Sequence, residues 1–140
     1  MPFFDVNYIA VLVTAVIGFV IGMLWYSPLL FANAWMKLSG IKKEVMEKAK
    51  KKILPTRIAS FISLLVMTYV LAYFVNIAGA STVLEGAQTG FLLWLGFIAS
   101  VTLGKVFFLW EGKSVKLYVL NAAHYFVVMI TMGAILAVWV

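Results

Sequence analysis

The sequence predicts an all-α integral membrane protein, a four-helix bundle with a short amphipathic helix between its first two spans. Three observations predict it. The 140 residues are 65% hydrophobic and 11% charged, with a mean hydropathy of +1.08. Soluble domains carry about 45–50% apolar and about 25% charged residues. The apolar residues fall in four runs, at about 8–26, 58–76, 87–110 and 117–139, each near the roughly 20 residues that cross a hydrocarbon core. The net charge of +6 lies in one stretch, about residues 36–57, which carries eight basic residues against Glu44 and Glu47. A chain this short cannot hide so much apolar surface from water. An ordinary soluble domain, a disordered chain and a nucleic-acid-binding module are therefore excluded, and a single membrane domain over 1–140 is expected.

The first run predicts a helix, because lipid cannot satisfy open backbone groups. It lacks a basic leader and follows Asp5, so it reads as a retained span rather than a cleaved signal peptide. Its small residues recur every four positions at Ala10, Thr14, Gly18 and Gly22. Such a stripe lets backbones approach closely, either within the bundle or between subunits. Ser27-Pro28 then breaks the run. Ser27 is expected to cap a short interfacial helix whose stripe is Leu30, Phe31, Ala34, Trp35 and Leu38; a kink in one longer helix is the other reading.

After Gly40, Ile41, Val45, Met46, Ala49 and Ile53 share one helical face, and Pro55 ends the segment. The same stretch is basic, with Lys42, Lys43, Lys48, Lys50, Lys51 and Lys52. Such a helix can lie on anionic lipid headgroups, each Lys contributing about 1 kcal/mol near the surface; the other reading is a solvated connector that only fixes topology. The second run follows, and the loop after it carries no Lys or Arg. The third run repeats the small-residue spacing at Gly96, Ser100 and Gly104, behind Gly86 and Gly90. The loop before the fourth run carries Lys113 and Lys116. Loops rich in Lys and Arg stay in the cytoplasm, so both chain ends are expected outside. Tyr8, Tyr73 and Trp139 then lie near the outer interface, and Trp25, Tyr26, Trp35, Trp110 and Tyr118 near the inner one, where amphipathic rings concentrate.

The candidate chemistry is sparse. The chain has no cysteine, and its five carboxylates, Asp5, Glu44, Glu47, Glu85 and Glu111, lie outside the deep parts of the spans. Disulfides, thiolate sites, paired-carboxylate catalysis and carboxylate metal sites lack material. No cofactor and no metal are expected. The intramembrane ionisable residues are Lys105 and His124. Lys105 is five residues from the inner end of its run, roughly 7–8 Å deep, close enough to snorkel to the headgroups. His124 is seven residues into the last run, roughly 10 Å deep. Asn121 lies one turn before it and can satisfy one ring nitrogen. At these depths Tyr26, Ser27, Lys105, Asn121 and His124 can meet in a polar pocket near the cytoplasmic side. His124 then serves either as an interhelical hydrogen-bond partner or as a ligand site.

The segments Asn7-Tyr8-x-Ala10, Gly22-x-x-Trp25-Tyr26-Ser27-Pro28-Leu29-Leu30-Phe31 and Trp35-Met36-Lys37-Leu38-x-Gly40 resemble the family of small prokaryotic membrane proteins filed as "domain of unknown function 1761". The resemblance covers the whole chain. It implies four spans, a charged first loop, a polar Asn-x-x-His patch opening the last helix, and the inner membrane of a prokaryotic cell. The chain has Asn33-Ala34 before Trp35, where the family often has Gly-Lys, so no cation role is assigned there. The resemblance implies no activity. The expected function is a non-enzymatic, homo-oligomeric binding or accessory membrane component that contacts the lipid bilayer. A small transporter or channel using the inner pocket is the second expectation. A membrane enzyme using His124 and Lys105 is the third.

Overall fold

The computed structural model describes residues 5–108 and 115–139. These form seven α-helices and one π-helical turn, with no strand among the described residues. Four helical stretches are long and apolar enough to cross a membrane: Tyr8–Trp25, Ile53–Ile77, Val83–Phe107 and Val115–Val138. Trp110, Glu111 and Lys113 lie outside the described residues.

Helix α1 (Tyr8–Trp25) starts at Asn7, whose side chain accepts from the Ala10 amide at 3.1 Å. That satisfies one of the first-turn donors a helix leaves open. The chain turns at Ser27 and re-enters a helix at α2 (Ala32–Ser39). Ser27 does not cap α2, as its position before Pro28 suggests. Its hydroxyl donates back to the Leu24 carbonyl at 2.7 Å and closes the end of α1, because the intervening turn keeps Ser27 four residues short of the new helix. Gly40, at φ +67°, ends α2 in the left-handed conformation, which glycine adopts without a Cβ penalty.

Helix α3 (Lys43–Lys50) is the basic amphipathic segment, and none of its residues is buried. Helix α4 (Ile53–Ile77) begins five residues before the expected second span. Pro55 does not end a helix but occupies the first turn of α4, where its missing N–H has no intrahelical partner to lose. Ile53 thus belongs to α4 rather than to α3. At the other end Gly79, at φ +64°, starts the turn to α5 (Val83–Leu93). Thr82 and Glu85 form a capping box there: the Glu85 amide donates to the Thr82 hydroxyl, and the Glu85 carboxylate accepts from the Thr82 amide.

The third span is not one regular helix. After α5 a π-helical turn, Trp94–Ala99, leads into α6 (Ser100–Phe108). Two hydrogen bonds latch this segment to α7 (Val115–Val138): Trp94 Nε1 donates to the Ala122 carbonyl at 2.9 Å, and Tyr118 Oη donates to the Ala99 carbonyl at 3.1 Å.

Helix α7 is the hub, packing on α1, α4 and α5, with α1 also against α4. Its tightest neighbour is α5. A Cβ added to Gly86 would collide with the Gly133 carbonyl, one on Gly90 with the Met129 carbonyl, and one on Gly133 with the Gly86 carbonyl. The α1 stripe also packs within the chain, Gly18 against Met132, Leu64 and Val128, and Gly22 against His124. It is not free to form a subunit contact. The Gly96–Ser100–Gly104 stripe differs: among the described residues, no other element lies within 4 Å of the Cβ position at Gly96 or Gly104. Those two glycines make no close helix contact with the described residues, because the π-turn precedes a helix that leans only lightly on α7. The core, around Leu71, Val75, Val128, Met132 and Leu136, fills the half of the bundle away from the basic segment.

Candidate functional site

Where α1, α4 and α7 separate at the basic end, they line a half-open cavity of about 600 Å³. Glycine makes room on one wall. Gly18, Phe19, Gly22, Met23 and Tyr26 of α1 line it, and Gly22 leaves only 3.1 Å between its Cβ position and Nε2 of His124. Helix α4 supplies Thr56, Arg57, Ser60, Ser63, Leu64 and Met67. Thr56, Ser60, Ser63 and Met67 recur at three- and four-residue steps, so the 3.6-residue period sets them on one face. Helix α7 supplies His124, Tyr125 and Val128.

His124 is 9% exposed, and neither ring nitrogen has a hydrogen-bond partner among the described residues. Buried polar groups are usually paired, and an unpaired one is destabilising by about 1–3 kcal/mol. Aromatic rings hold the imidazole on three sides: Tyr125 at 4.8 Å, Tyr26 at 5.1 Å and Trp25 at 6.1 Å between ring centroids. Phe31 packs on Trp25 at 4.6 Å and Trp35 meets Tyr26 at 6.1 Å, so the turn after α1 and helix α2 brace this cluster from outside.

The structure brings together three of the five expected pocket residues. Tyr26 and His124 line the cavity, and Asn121 reaches it through Tyr26, whose hydroxyl donates to Asn121 Oδ1 at 2.8 Å. Asn121 is therefore engaged by Tyr26 and does not satisfy a nitrogen of His124. Ser27 is absent from the wall because its hydroxyl turns back to α1. Lys105 is exposed and does not line the cavity, because α6 packs on the π-turn and α7 rather than among the cavity helices α1 and α4. Arg57 is the charged residue among the described lining residues, and no carboxylate is among them.

Arg57, Ser60 and Ser63 were not singled out from the sequence, although the spacing Thr56, Ser60, Ser63 was available. Hydroxyls in an apolar helix commonly bond their own backbone, as Thr56 does to the Lys52 carbonyl at 2.8 Å, so the pattern alone does not mark a cavity. The cavity is blind. Beyond it, Thr14, Thr68 and Met132 are 0% exposed and Leu71 is 1% exposed. At the opposite end, Val6, Asn7, Ala10, Ala72, Asn76 and Leu136 surround a space of only about 10 Å³.

No curated protein and no solved structure matches the chain. The model of a family described as protein of unknown function (DUF1761) matches residues 9–137, nearly the whole chain, and the protein belongs to that family.

Proposed function

We propose that the protein is a non-enzymatic membrane receptor that holds a small amphiphilic molecule in the cavity between α1, α4 and α7. The single observation that carries this reading is His124, buried in the cavity wall without a partner for either ring nitrogen. Both nitrogens are covered in this structure, so a turn of the ring toward the cavity lets a partner from outside the chain supply what the fold withholds. The volume of about 600 Å³ lies within the roughly 300–1,000 Å³ of small-molecule sites, which combine apolar walls with a few placed polar groups. The closed far end favours binding over conduction, since a channel needs a path past Thr14, Thr68 and Met132. Dodecan-1-ol serves as a neutral probe. Native mass spectrometry of the detergent-solubilised protein is expected to show one saturable adduct, lost in Ser63→Trp, which fills the cavity from an exposed position. The absence of a saturable adduct on the unaltered protein would refute the reading.

The proposed setting is a prokaryotic inner membrane with both chain ends outside, supported by the excess of Lys and Arg at one end of the bundle. The basic segment around α3, with Lys42, Lys43, Lys48, Lys50, Lys51 and Lys52, then rests on anionic headgroups; the unburied Val45 of α3 supports that contact. Cysteines introduced at Ser81 and Lys48 are expected to label with an impermeant maleimide from opposite sides of sealed vesicles. Labelling from one side only would reject this orientation. Self-association is proposed through the uncovered Gly96–Ser100–Gly104 face, since close backbone approach is what small residues permit between lipid-embedded helices.

A further inference from the structure

We infer that the molecule held in the cavity is a single-chain amphiphile with an anionic head, the head on Arg57 and the tail running toward Gly18 and Val128. This inference rests on the binding reading above and adds the charge and direction of the ligand. The cavity wall is graded along α4. Arg57 and Thr56 stand at the basic end, the hydroxyls of Ser60 and Ser63 follow, and Leu64 and Met67 close the deep end with Phe19 and Val128 opposite. From Arg57 to Met67 is ten residues, about 15 Å of helix at 1.5 Å per residue. A molecule lying along that path meets charge first, then hydrogen-bonding groups, then hydrocarbon. A neutral ligand leaves the guanidinium without use, and a cationic one is repelled by it.

Arg57 is free to serve this role. No acidic side chain lies among the described residues that line the cavity, so nothing there neutralises it. Guanidinium pairs with carboxylate or phosphate oxygens through two parallel hydrogen bonds, which Lys cannot reproduce. The surroundings add to the same sign. Lys50, Lys51 and Lys52 directly precede α4 and are exposed, and the N-terminal ends of α4 and α7 lie at this same end of the bundle with their positive dipole poles. Basic groups at a membrane surface concentrate anionic species before binding. His124 lies between head and tail, and a turn of its ring, whose nitrogens are covered in this structure, brings a hydrogen bond to a polar atom near the head. A free small anion lacks the tail that the deep half of the cavity fits, and a two-chain lipid has twice the hydrocarbon that one 15 Å path (about that length from the helix rise) accepts.

Dodecanoate and dodecan-1-ol share a tail and differ in the head, so they separate the two readings. Both are measured by native mass spectrometry against the unaltered protein, Arg57→Gln and Lys105→Gln. The expected result is that dodecanoate binds more tightly than dodecan-1-ol, and that Arg57→Gln weakens dodecanoate about tenfold, the scale of one charge-assisted hydrogen bond. Dodecan-1-ol, which carries no charge for the guanidinium to pair with, loses less affinity than dodecanoate in Arg57→Gln, and Lys105→Gln, outside the cavity, changes neither. Arg57 is exposed, so Arg57→Gln keeps the fold. Equal binding of dodecanoate by Arg57→Gln and the unaltered protein would overturn the anionic assignment while leaving the receptor reading intact. Failure of both probes on the unaltered protein would overturn the receptor reading and this inference with it. Full displacement of dodecanoate by an equal concentration of acetate or inorganic phosphate would show an anion site without a tail requirement, and would also overturn it.

Discussion

Gly133→Ala is expected to destabilise the protein by about 3 kcal/mol, although alanine favours a helix interior over glycine by about 1 kcal/mol. The sign is decided by what the methyl group meets. At Gly133 it runs into the backbone carbonyl of Gly86 and crowds the Gly90 amide on the facing helix. A side chain can rotate away from an intruding methyl, but a hydrogen-bonded helix backbone moves only as a body. Relief therefore requires α5 and α7 to separate along their whole contact, the most extensive in the molecule. Overpacking in a core destabilises by about 1–3 kcal/mol and occasionally more, and a backbone collision belongs at the upper end. Gly104→Ala is the matched control, since its Cβ position meets no other element among the described residues. Unfolding in mixed micelles should lose stability in Gly133→Ala and hold or gain it in Gly104→Ala. Equal responses would mean that the two helices do not cross at their glycines. Gly104→Leu also tests the proposed self-association: the fold should persist while the particle mass falls to that of one chain.

These glycines show what the sequence could and could not say about the fold. Four spans were legible because lipid imposes length and continuity on a helix, and the apolar runs obey both. The partners of each stripe were not legible. Small residues at four-residue steps occur on α1, on α5 and on the π-turn with α6, and the pattern is the same whether a helix faces the stripe or not. Gly18 and Gly22 meet α7, Gly86 and Gly90 meet α7 more closely, and Gly96 and Gly104 meet no other element among the described residues. The distinction depends on where Gly133 stands, and a lone glycine in an apolar run has no periodicity to reveal it. The early start of α4 was hidden for a different reason. Pro55 and Arg57 follow Ile53, so a hydropathy boundary places the span after Arg57, where the charge ends, rather than where the backbone begins to coil. The π-turn leaves no trace in hydropathy at all, because it changes hydrogen-bond register and not composition.

The candidate site divides the same way. Tyr26, Asn121 and His124 were legible because polar residues in a span are few and their depths could be compared. Depth is one coordinate, however, and it cannot say which side of α7 a residue occupies. Lys105 has the right depth and the wrong side. Arg57 sits at the membrane boundary among seven lysines of the same sign, where a charge rule counts it as topology. Only its position at the mouth of the cavity separates it from them.

His124→Leu is expected to raise stability by about 1 kcal/mol while weakening dodecan-1-ol and dodecanoate by at least tenfold (about 1.4 kcal/mol). Two effects act together. The substitution removes a buried group whose ring nitrogens have no partner among the described residues, and the penalty for such a group is about 1–3 kcal/mol. Leucine keeps roughly the same volume, so the rings of Trp25, Tyr26 and Tyr125 retain a neighbour and little cavity is created. Against this stands the lost contact of the imidazole with those rings, which offsets part of the gain. Tyr26→Phe provides the contrast. Its hydroxyl is paired with Asn121 at 2.8 Å, and removing a satisfied interhelical hydrogen bond in a membrane destabilises by about 0.6 kcal/mol, up to about 1.7. The two neighbouring substitutions therefore move stability in opposite directions if His124 is kept for a ligand. Unfolding in mixed micelles without a probe measures stability, and native mass spectrometry with each probe measures binding. A loss in His124→Leu larger than that in Tyr26→Phe would show that the imidazole holds the helices together and would remove the observation on which the receptor reading stands. A gain in stability with unchanged probe binding would leave the cavity as a site but move its polar contact from His124 to the hydroxyls of Ser60 and Ser63 across the cavity.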